Sequence, residues 1–217
     1  MSKKPQTSRT GTPPKTHATR RKLVDAAHAL IWASSYAHVS VEDICREAGV
    51  QKGSFYHFFP TKSDLAAAAL EDHWQQIQPE MEAIFANHLS PQQQLRAVCR
   101  AILTKQQEAM LSTGKVCGCP YATVGSEMGG NNEALRQLAE QMTEHFSGYF
   151  ERLLAHAARA GLIEKRGIAQ RAREMHIYVM GATLQARITN SIDCVGKPLE
   201  TALHRISGIP KSASRAK

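Results

Sequence analysis

The segment Ser40–Leu65, SVEDICREAGVQKGSFYHFFPTKSDL, decides how the rest of the chain is interpreted. Ser40 followed three residues later by Asp43 is typical of a helix N-terminus, because each side chain can bond the other residue's backbone N–H. Gly49 predicts where this helix ends, since glycine adopts the left-handed conformation at little cost. A second helix of about two turns should end before Pro60, which disfavours a helical residue in front of it. The segment therefore predicts two short helices joined by a tight turn, followed by a third helix.

Two short helices with this turn are typical of a helix-turn-helix unit. The second helix carries small and basic residues near its N-terminus, Lys52, Gly53 and Ser54, which suit entry into the major groove of DNA. Two polar aromatic side chains and a lysine farther along can reach phosphates, and the lysine adjoins the free N–H groups that begin the next helix. The predicted DNA-contacting residues are Lys52, Gly53, Ser54, Tyr56, His57 and Lys62. The alternative is a helical hairpin with no nucleic-acid partner.

The remaining chain shows helical periodicity throughout. Ser90-Pro91 is a strong helix start, and Pro79 should kink or split the helix before it. A glycine-bounded break at 114–118 separates that region from a helix capped by Asn131 or Asn132. Apolar residues surround the segment 168–190, which predicts a helix buried on more than one side. With no strand pattern present, the prediction is an all-α protein.

Charge is unevenly distributed along the chain. The formal net charge is +8, and residues 1–22 contain seven bases and no acid. A polyanionic partner is therefore expected to meet the N-terminal region. The alternative is a solvated tail, and the Pro, Gly, Ser and Thr content of residues 1–15 predicts disorder there in either case.

Composition restricts the class of protein further. Five cysteines are an odd count, which argues against a disulfide scaffold. The sequence contains no apolar run of 18 residues, so no transmembrane helix is expected. A cytoplasmic location is the prediction. We find no nucleophile-elbow, P-loop, dinucleotide-binding or paired-carboxylate motif, so neither an enzyme nor a cofactor is expected.

The chain resembles the TetR/AcrR family of transcriptional regulators. The resemblance rests on RRKLVDAAHALI, residues 20–31, and on the segment Ser40–Leu65, in which A-G-V-x-K-G-S-F-Y-H-x-F-x-x-K is a specific pattern. Outside residues 19–65 it extends only to the number and length of the helices. By position, the six residues named above fall on the family's usual DNA-contacting places, and Phe55 and Phe59 fall on its core places.

The resemblance implies a three-helix DNA-binding domain, a larger helical domain for ligand binding and dimerisation, and a homodimer formed mainly by the last two long helices. The partners it implies are double-stranded DNA with a palindromic operator and a small-molecule effector; repression is the family's usual mode. The expected divisions are a disordered basic tail at 1–15, a DNA-binding domain at 16–65, an effector-binding and dimerisation domain at 66–209 and a flexible tail at 210–217.

Three positions depart from the family pattern. Gln51 stands where Ser or Thr is frequent, which predicts a weaker cap on the second short helix. Phe58 stands where His or Tyr is common, which removes one polar group. Ser35 replaces a usual glycine, so the turn between the first two helices is expected to differ.

The effector pocket is predicted from apolar residues on the later helices. Each of these is also a reasonable core residue, and the choice between core and pocket stays open. Cys119 joins them because the resemblance places its loop near the effector cavity. The candidates are Trp74, Met110, Cys119, Met142, Phe146 and Tyr178.

An alternative function rests on Cys117-Gly118-Cys119-Pro120. A thiol in a loop near a helix start can have a lowered pKa, which suits a redox or electrophile sensor. A metal-handling protein is the other version, but it needs further ligands that the sequence does not supply nearby, so no metal site is predicted. A structural loop is the plainest interpretation. Cys45 lies on an apolar stripe and is expected in the core.

Overall fold

The computed structural model describes residues 15–86, 88–128 and 130–211. Across those residues the chain forms α-helices and no strand, which confirms the all-α prediction. The helices are α1 Lys15–Ala33, α2 Val41–Ala48, α3 Lys52–Phe58, α4 Lys62–Phe85, α5 Pro91–Thr113, α6 Pro120–Met128, α7 Glu133–Arg159, α8 Ile168–Thr189 and α9 Lys197–Ser207. Of the predicted tails at 1–15 and 210–217, the structure describes only Lys15, which begins α1, and residues 210–211; the rest lies outside the described residues.

Local side-chain chemistry sets the helix starts. Ser40 and Asp43 form the expected capping box on α2, and Gly49 ends that helix with φ +64°. Thr61 caps α4 in the same way, and Ser90 caps α5. Each box satisfies N–H groups that a helix N-terminus leaves unpaired, which contributes about 1 kcal/mol per cap.

Two apolar clusters organise the molecule. The first joins α1–α4 with α6 and the start of α7, and it includes the fully buried Leu23, Ile44 and Phe55. The second joins the end of α4 with α5, α7, α8 and α9. Phe55 and Phe59 are buried, as predicted, so α3 is anchored by one face and presents the other outward. Cys45 is also in the core, as expected.

Two features of the middle region differ from the sequence-based prediction. Helix α4 continues through Pro79, so the helix is not split there, and a kink at this residue stays a prediction; the proline is on the exposed face, where solvent can satisfy the carbonyl that loses its donor. Helix α6 was not predicted, because it has only nine residues and contains Gly125. A Cβ at Gly125 would lie 2.9 Å from the Ala139 Cβ, so the glycine serves close packing on α7.

Helix α8 also differs from its prediction. It was expected to be buried on several sides, yet Ile177, Leu184 and Ile188 are exposed in this single chain, Ile188 by 75%. The prediction was wrong for the isolated chain. An apolar face of this kind lacks a partner within the chain. None of the helices in the described segments is long and apolar enough to cross a membrane.

Candidate nucleic-acid interface and effector cavity

Helix α3 carries the predicted DNA-contacting residues on its outer side. Lys52, Gly53, Tyr56 and His57 are exposed, whereas Ser54 is half-buried. The exposed fraction of Tyr56 is 51%, and its ring packs edge-on against the buried neighbouring phenylalanine. The helix N-terminus has no side-chain cap bond within the described structure, in agreement with the weaker cap expected from the sequence. The Ser54 N–H donates to the Gln51 carbonyl at 2.9 Å, which leaves the N–H groups of Lys52 and Gly53 to meet a phosphate.

Lys52 is paired with an acidic residue of the preceding helix. Its Nζ donates to the Glu42 carboxylate, and this hydrogen bond raises the pKa of Lys52 and lowers that of Glu42. Both side chains are exposed, and pairs of this kind stabilise a fold little. The ammonium can therefore exchange the carboxylate for a DNA group at small cost.

Lys62 lies inside the unit and has a structural role that the sequence did not reveal. Its Nζ donates to the carbonyls of Tyr36, at 2.8 Å, and Val39, at 2.9 Å, and sits 4.1 Å from the centroid of the Tyr36 ring. Burial lowers the pKa of the Lys62 ammonium. The lysine thus holds the α1–α2 turn, and its contact with phosphate stays a prediction. Ser35 supports the same turn by accepting the His38 N–H.

Replacing Lys62 with methionine should therefore destabilise the fold as well as affect DNA binding. Loss of two hydrogen bonds from a charged donor is expected to cost about 2 kcal/mol of unfolding free energy. Urea denaturation measures it, with Lys52→Met as the matched control because that lysine is exposed. If both variants unfold at the same urea concentration, the structural role of Lys62 is wrong.

A partly open cavity of about 140 Å³ lies between α1 and the later helices. It is lined mainly by apolar and aromatic side chains. Of the predicted pocket residues, Cys119 and Phe146 line it. Met142 lines an adjoining open depression of about 660 Å³ together with those two. Three candidates lie elsewhere: Trp74 packs on Phe146 from outside, Met110 joins the second apolar cluster, and Tyr178 is 39% exposed on α8.

Several cavity residues were missed from the sequence. They come from helices far apart in the chain, and most are polar or aromatic residues on otherwise apolar helix faces, which is the signal that could have revealed them. They are Trp32, His73, Gln106, Tyr121 and His176.

Two histidines in the cavity wall are kept neutral. The His73 Nδ1 lies 3.2 Å from His28 Nε2, and burial lowers the pKa of His73 to about 3. Burial alone lowers the pKa of His176 to about 4, and its Nδ1 lies 3.3 Å from the Ser147 hydroxyl. The cavity wall therefore gains no charge from its imidazoles at neutral pH.

These depressed pKa values predict acid sensitivity. Protonation favours the unfolded chain, where histidine titrates near 6.5, so stability falls as pH drops from about 6.5 toward the folded-state pKa. For His176 this is about 2 kcal/mol between pH 7 and pH 5. Urea denaturation of the parent protein and His176→Phe at both pH values measures it, at equal protein concentration. The variant should lose about 2 kcal/mol less than the parent; equal losses would contradict the neutral, buried imidazole.

The cavity wall is bonded directly to the end of α1. The Trp32 indole donates to the Gly118 carbonyl at 3.2 Å. The guanidinium of Arg187, from α8, donates to the carbonyls of Trp32 at 2.8 Å and Cys117 at 2.7 Å, and also to that of Ser34. These contacts tie α8 and the loop before α6 to the residues that lead into the helix-turn-helix.

A second link comes from α6. The Glu127 carboxylate accepts the Ala37 N–H at 3.1 Å, in the turn between α1 and α2. Two attachments therefore flank the entry into the DNA-binding helices, and both originate in segments that also line the cavity.

The cysteine loop does not fit a reactive thiol. Cys117 is buried, with 2% exposed, and burial raises the pKa of the Cys119 thiol. For Cys119 the expected lowering of the thiol pKa is therefore wrong, because the half-buried side chain at the start of α6 is largely desolvated. Among residues 15–86, 88–128 and 130–211, no group of three or more His, Cys, Asp or Glu side chains is placed to hold a metal ion.

Comparison with known proteins agrees with this geometry. A family model described as "Bacterial regulatory proteins, tetR family" matches residues 23–69. A second, "Tetracyclin repressor-like, C-terminal domain", matches residues 91–201, which is more than half of the chain. The chain belongs to the TetR family and is a DNA-binding transcriptional regulator with a helix-turn-helix unit.

Individual relatives are more distant. The chain is 23% identical over 194 residues to the HTH-type transcriptional repressor NemR of Escherichia coli (strain K12), covering 89% of this chain and 94% of that protein. It is 31% identical over 129 residues to the transcriptional regulator AcuR of Cereibacter sphaeroides, covering 58% and 57%.

Solved structures show the same fold. The crystal structure of E. coli NemR in its reduced form superposes with a TM-score of 0.74 at 22% identity, covering 91% of this chain and 100% of that one. A TetR-family regulator from Cytophaga hutchinsonii superposes with a TM-score of 0.77 at 20% identity, covering 92% and 98%.

Proposed function

We propose that this regulator is a cytoplasmic homodimeric repressor whose two α3 helices enter successive major grooves of a near-palindromic operator. The observation that carries the proposal is the slim, exposed N-terminal edge of α3, formed by Lys52 and Gly53, above a firmly buried Phe55. A rigid anchor and a small outer edge are what groove entry requires. Half-sites about 34–36 Å apart are expected.

The contacts divide into two kinds. Lys52 and Ser54 are assigned to base edges, and Ser54 reaches them from a half-buried position at the helix start. Tyr56 and His57 are assigned to the phosphates beside the groove, where they fix register without reading sequence. Lys62 contributes by holding the turn, with a phosphate contact in addition. The exposed Lys22 adds salt-dependent affinity.

The homodimer is assigned to α8 together with α7. The exposed apolar residues of α8 recur at positions 177, 184 and 188, and exposed Gly181 lies on the same stripe. This spacing of four, seven and eleven residues places them on one helix face. Closure of that face against a second copy removes it from water and sets the distance between the two heads.

Effector control is assigned to the cavity. A ligand changes operator affinity only by as much as its own affinities for the two protein states differ. Trp32 and Arg187 form hydrogen bonds with the loop at Gly118. Through these hydrogen bonds, a ligand in the cavity can change the position of the end of α1. We propose DNA binding at 16–65 and effector binding and dimerisation at 66–209, with no catalytic activity.

Selection of bound fragments from the source genome tests the proposal. The variants should then differ in how they bind the recovered operator. Lys52→Ala should relax the preference at particular base pairs by about 1–3 kcal/mol, whereas Tyr56→Ala should weaken binding to all sequences alike. Fluorescence anisotropy on a set of single-base operator variants measures both. A Lys52→Ala protein with full discrimination would remove its base-reading role, and retention of no genomic fragment at low salt would remove DNA binding.

A further inference from the structure

The volume of the partly open cavity indicates the size of ligand that fits within it. Its volume is about 140 Å³. A dry apolar cavity of about 150 Å³ holds one benzene molecule, so a ligand of roughly six to ten non-hydrogen atoms fits. Aromatic side chains supply much of the wall, from Trp32, Tyr121, Phe146 and Phe150. These surfaces favour a flat ring, because aromatic pairs gain from offset or edge-on stacking.

The cavity has no place for a charge. His73 and His176 are neutral at physiological pH, as described above. Glu80 and Lys105 are the charged residues of the wall; Glu80 is exposed, and the Lys105 ammonium bonds the Glu108 carboxylate at 3.2 Å. The Lys105 side chain is also 43% exposed, so its ammonium lies near solvent at the opening of the cavity. A ligand carboxylate would lose its hydration inside without gaining a partner.

Most polar groups of the wall are already bonded within the protein. The Gln106 amide binds both the N–H and the carbonyl of Gly118, at 2.8 and 3.2 Å. The Tyr121 hydroxyl donates to the Leu70 carbonyl at 3.2 Å. Thr183 donates to backbone carbonyls of its own helix. The donor hydrogens of both hydroxyls are thus used, so Tyr121 and Thr183 can only accept from a ligand, and the Gln106 amide keeps one N–H donor.

The two wall histidines are different. Each uses one ring nitrogen within the protein, His73 toward His28 and His176 toward Ser147. For the second nitrogen of each ring, no hydrogen-bond partner exists among the residues that the structure describes. A neutral imidazole can donate or accept there, which suits a hydroxyl or carbonyl group on a ligand.

We propose that the cavity binds an uncharged single-ring molecule that carries one hydroxyl or carbonyl group, with the ring among the aromatic side chains and the polar group on His73 or His176. An open groove of about 560 Å³ bounded by α1, α4 and α5 shares His73, Ile77, Glu80 and Lys105 with the cavity, so a ligand can enter there. The inference rests on the proposed function only in calling this ligand the effector; binding itself needs no DNA.

Calorimetry on the full-length protein tests the class of ligand directly. Benzyl alcohol and benzoate have nearly the same size and differ in charge. Benzyl alcohol should bind with one site per chain, and benzoate should bind at least tenfold more weakly. Equal or tighter binding of benzoate overturns the proposal, as does the absence of benzyl alcohol binding.

Variants locate the binding. Ala101→Leu fills the cavity from α5 and should weaken benzyl alcohol binding at least tenfold, while Thr104→Leu, on the exposed side of the same helix, should leave it unchanged. If Ala101→Leu does not fold, Ile102→Phe fills the same space. Unchanged affinity in the cavity-filling variant overturns the assignment. Operator binding by the parent protein is measured in parallel. If the parent binds benzyl alcohol but no operator, the proposed function is contradicted and the ligand assignment stands.

Discussion

Replacement of Gly53 by glutamate is expected to abolish operator binding while leaving the protein at least as stable as the parent. Gly53 is the second residue of α3, and beyond its chain neighbours and the backbone of its own helix no described atom lies within 4 Å of a Cβ built there. The fold therefore does not need a glycine at this position, and glycine within a helix costs about 0.5–1 kcal/mol relative to alanine. A carboxylate near a helix N-terminus is favourable to the helix.

The same carboxylate is unfavourable on DNA. Two copies per dimer would each face the phosphates of a major groove, and like charges in an interface cost several kcal/mol. We expect a loss of at least 100-fold in operator affinity by fluorescence anisotropy, together with an equal or higher urea midpoint. Gly53→Ala is the graded control, with a smaller loss of affinity and a gain in stability. Unimpaired DNA binding by the glutamate variant would show that α3 does not approach the groove by this edge.

Ile188→Glu is expected to produce a monomer that binds the operator at least 100-fold more weakly. Ile188 is 75% exposed on the apolar stripe of α8. In a two-fold symmetric dimer both new carboxylates fall in one interface, where burial of unpaired charge is costly. Loss of the dimer also removes the simultaneous use of two half-sites. Sedimentation equilibrium measures the mass of the variant, and anisotropy measures its affinity for the operator.

Leu111→Glu is the matched control for this change. Leu111 is more exposed still, at 88%, but lies at the end of α5. The control should remain a dimer and bind DNA normally. If it dissociates instead, while Ile188→Glu stays dimeric, the interface lies elsewhere.

The helix-turn-helix was predictable because its determinants are local. Capping boxes at Ser40 and Thr61 and the left-handed Gly49 act within a few residues of one another, so the sequence displays them directly. The buried Phe55 and Phe59 follow from the same short pattern. The inward position of Lys62 was not visible, because its partners Tyr36 and Val39 precede it by more than twenty residues.

The residues that line the cavity were harder to predict from the sequence, because they too are far apart along the chain. It is assembled from α1, α4, α5, α6, α7 and α8, and the periodicity of one helix does not show which residue of a stripe faces a void. Trp74 and Phe146 were both candidates from apolar helix faces, yet of these two only Phe146 lines the cavity. For helix α8 the sequence predicted more burial than the single chain shows. Its apolar residues all signalled burial, but the face at Ile188 is buried only if a second copy covers it.

A hydroxyl-radical footprint of the purified protein on a fragment selected from its own genome tests the central claim most directly. Two α3 helices in successive major grooves predict two protected half-sites related by approximate two-fold symmetry, with centres about 34–36 Å apart. Both should disappear together in Gly53→Glu. A single protected region without a symmetric counterpart, or protection that survives the Gly53→Glu substitution, would contradict the account.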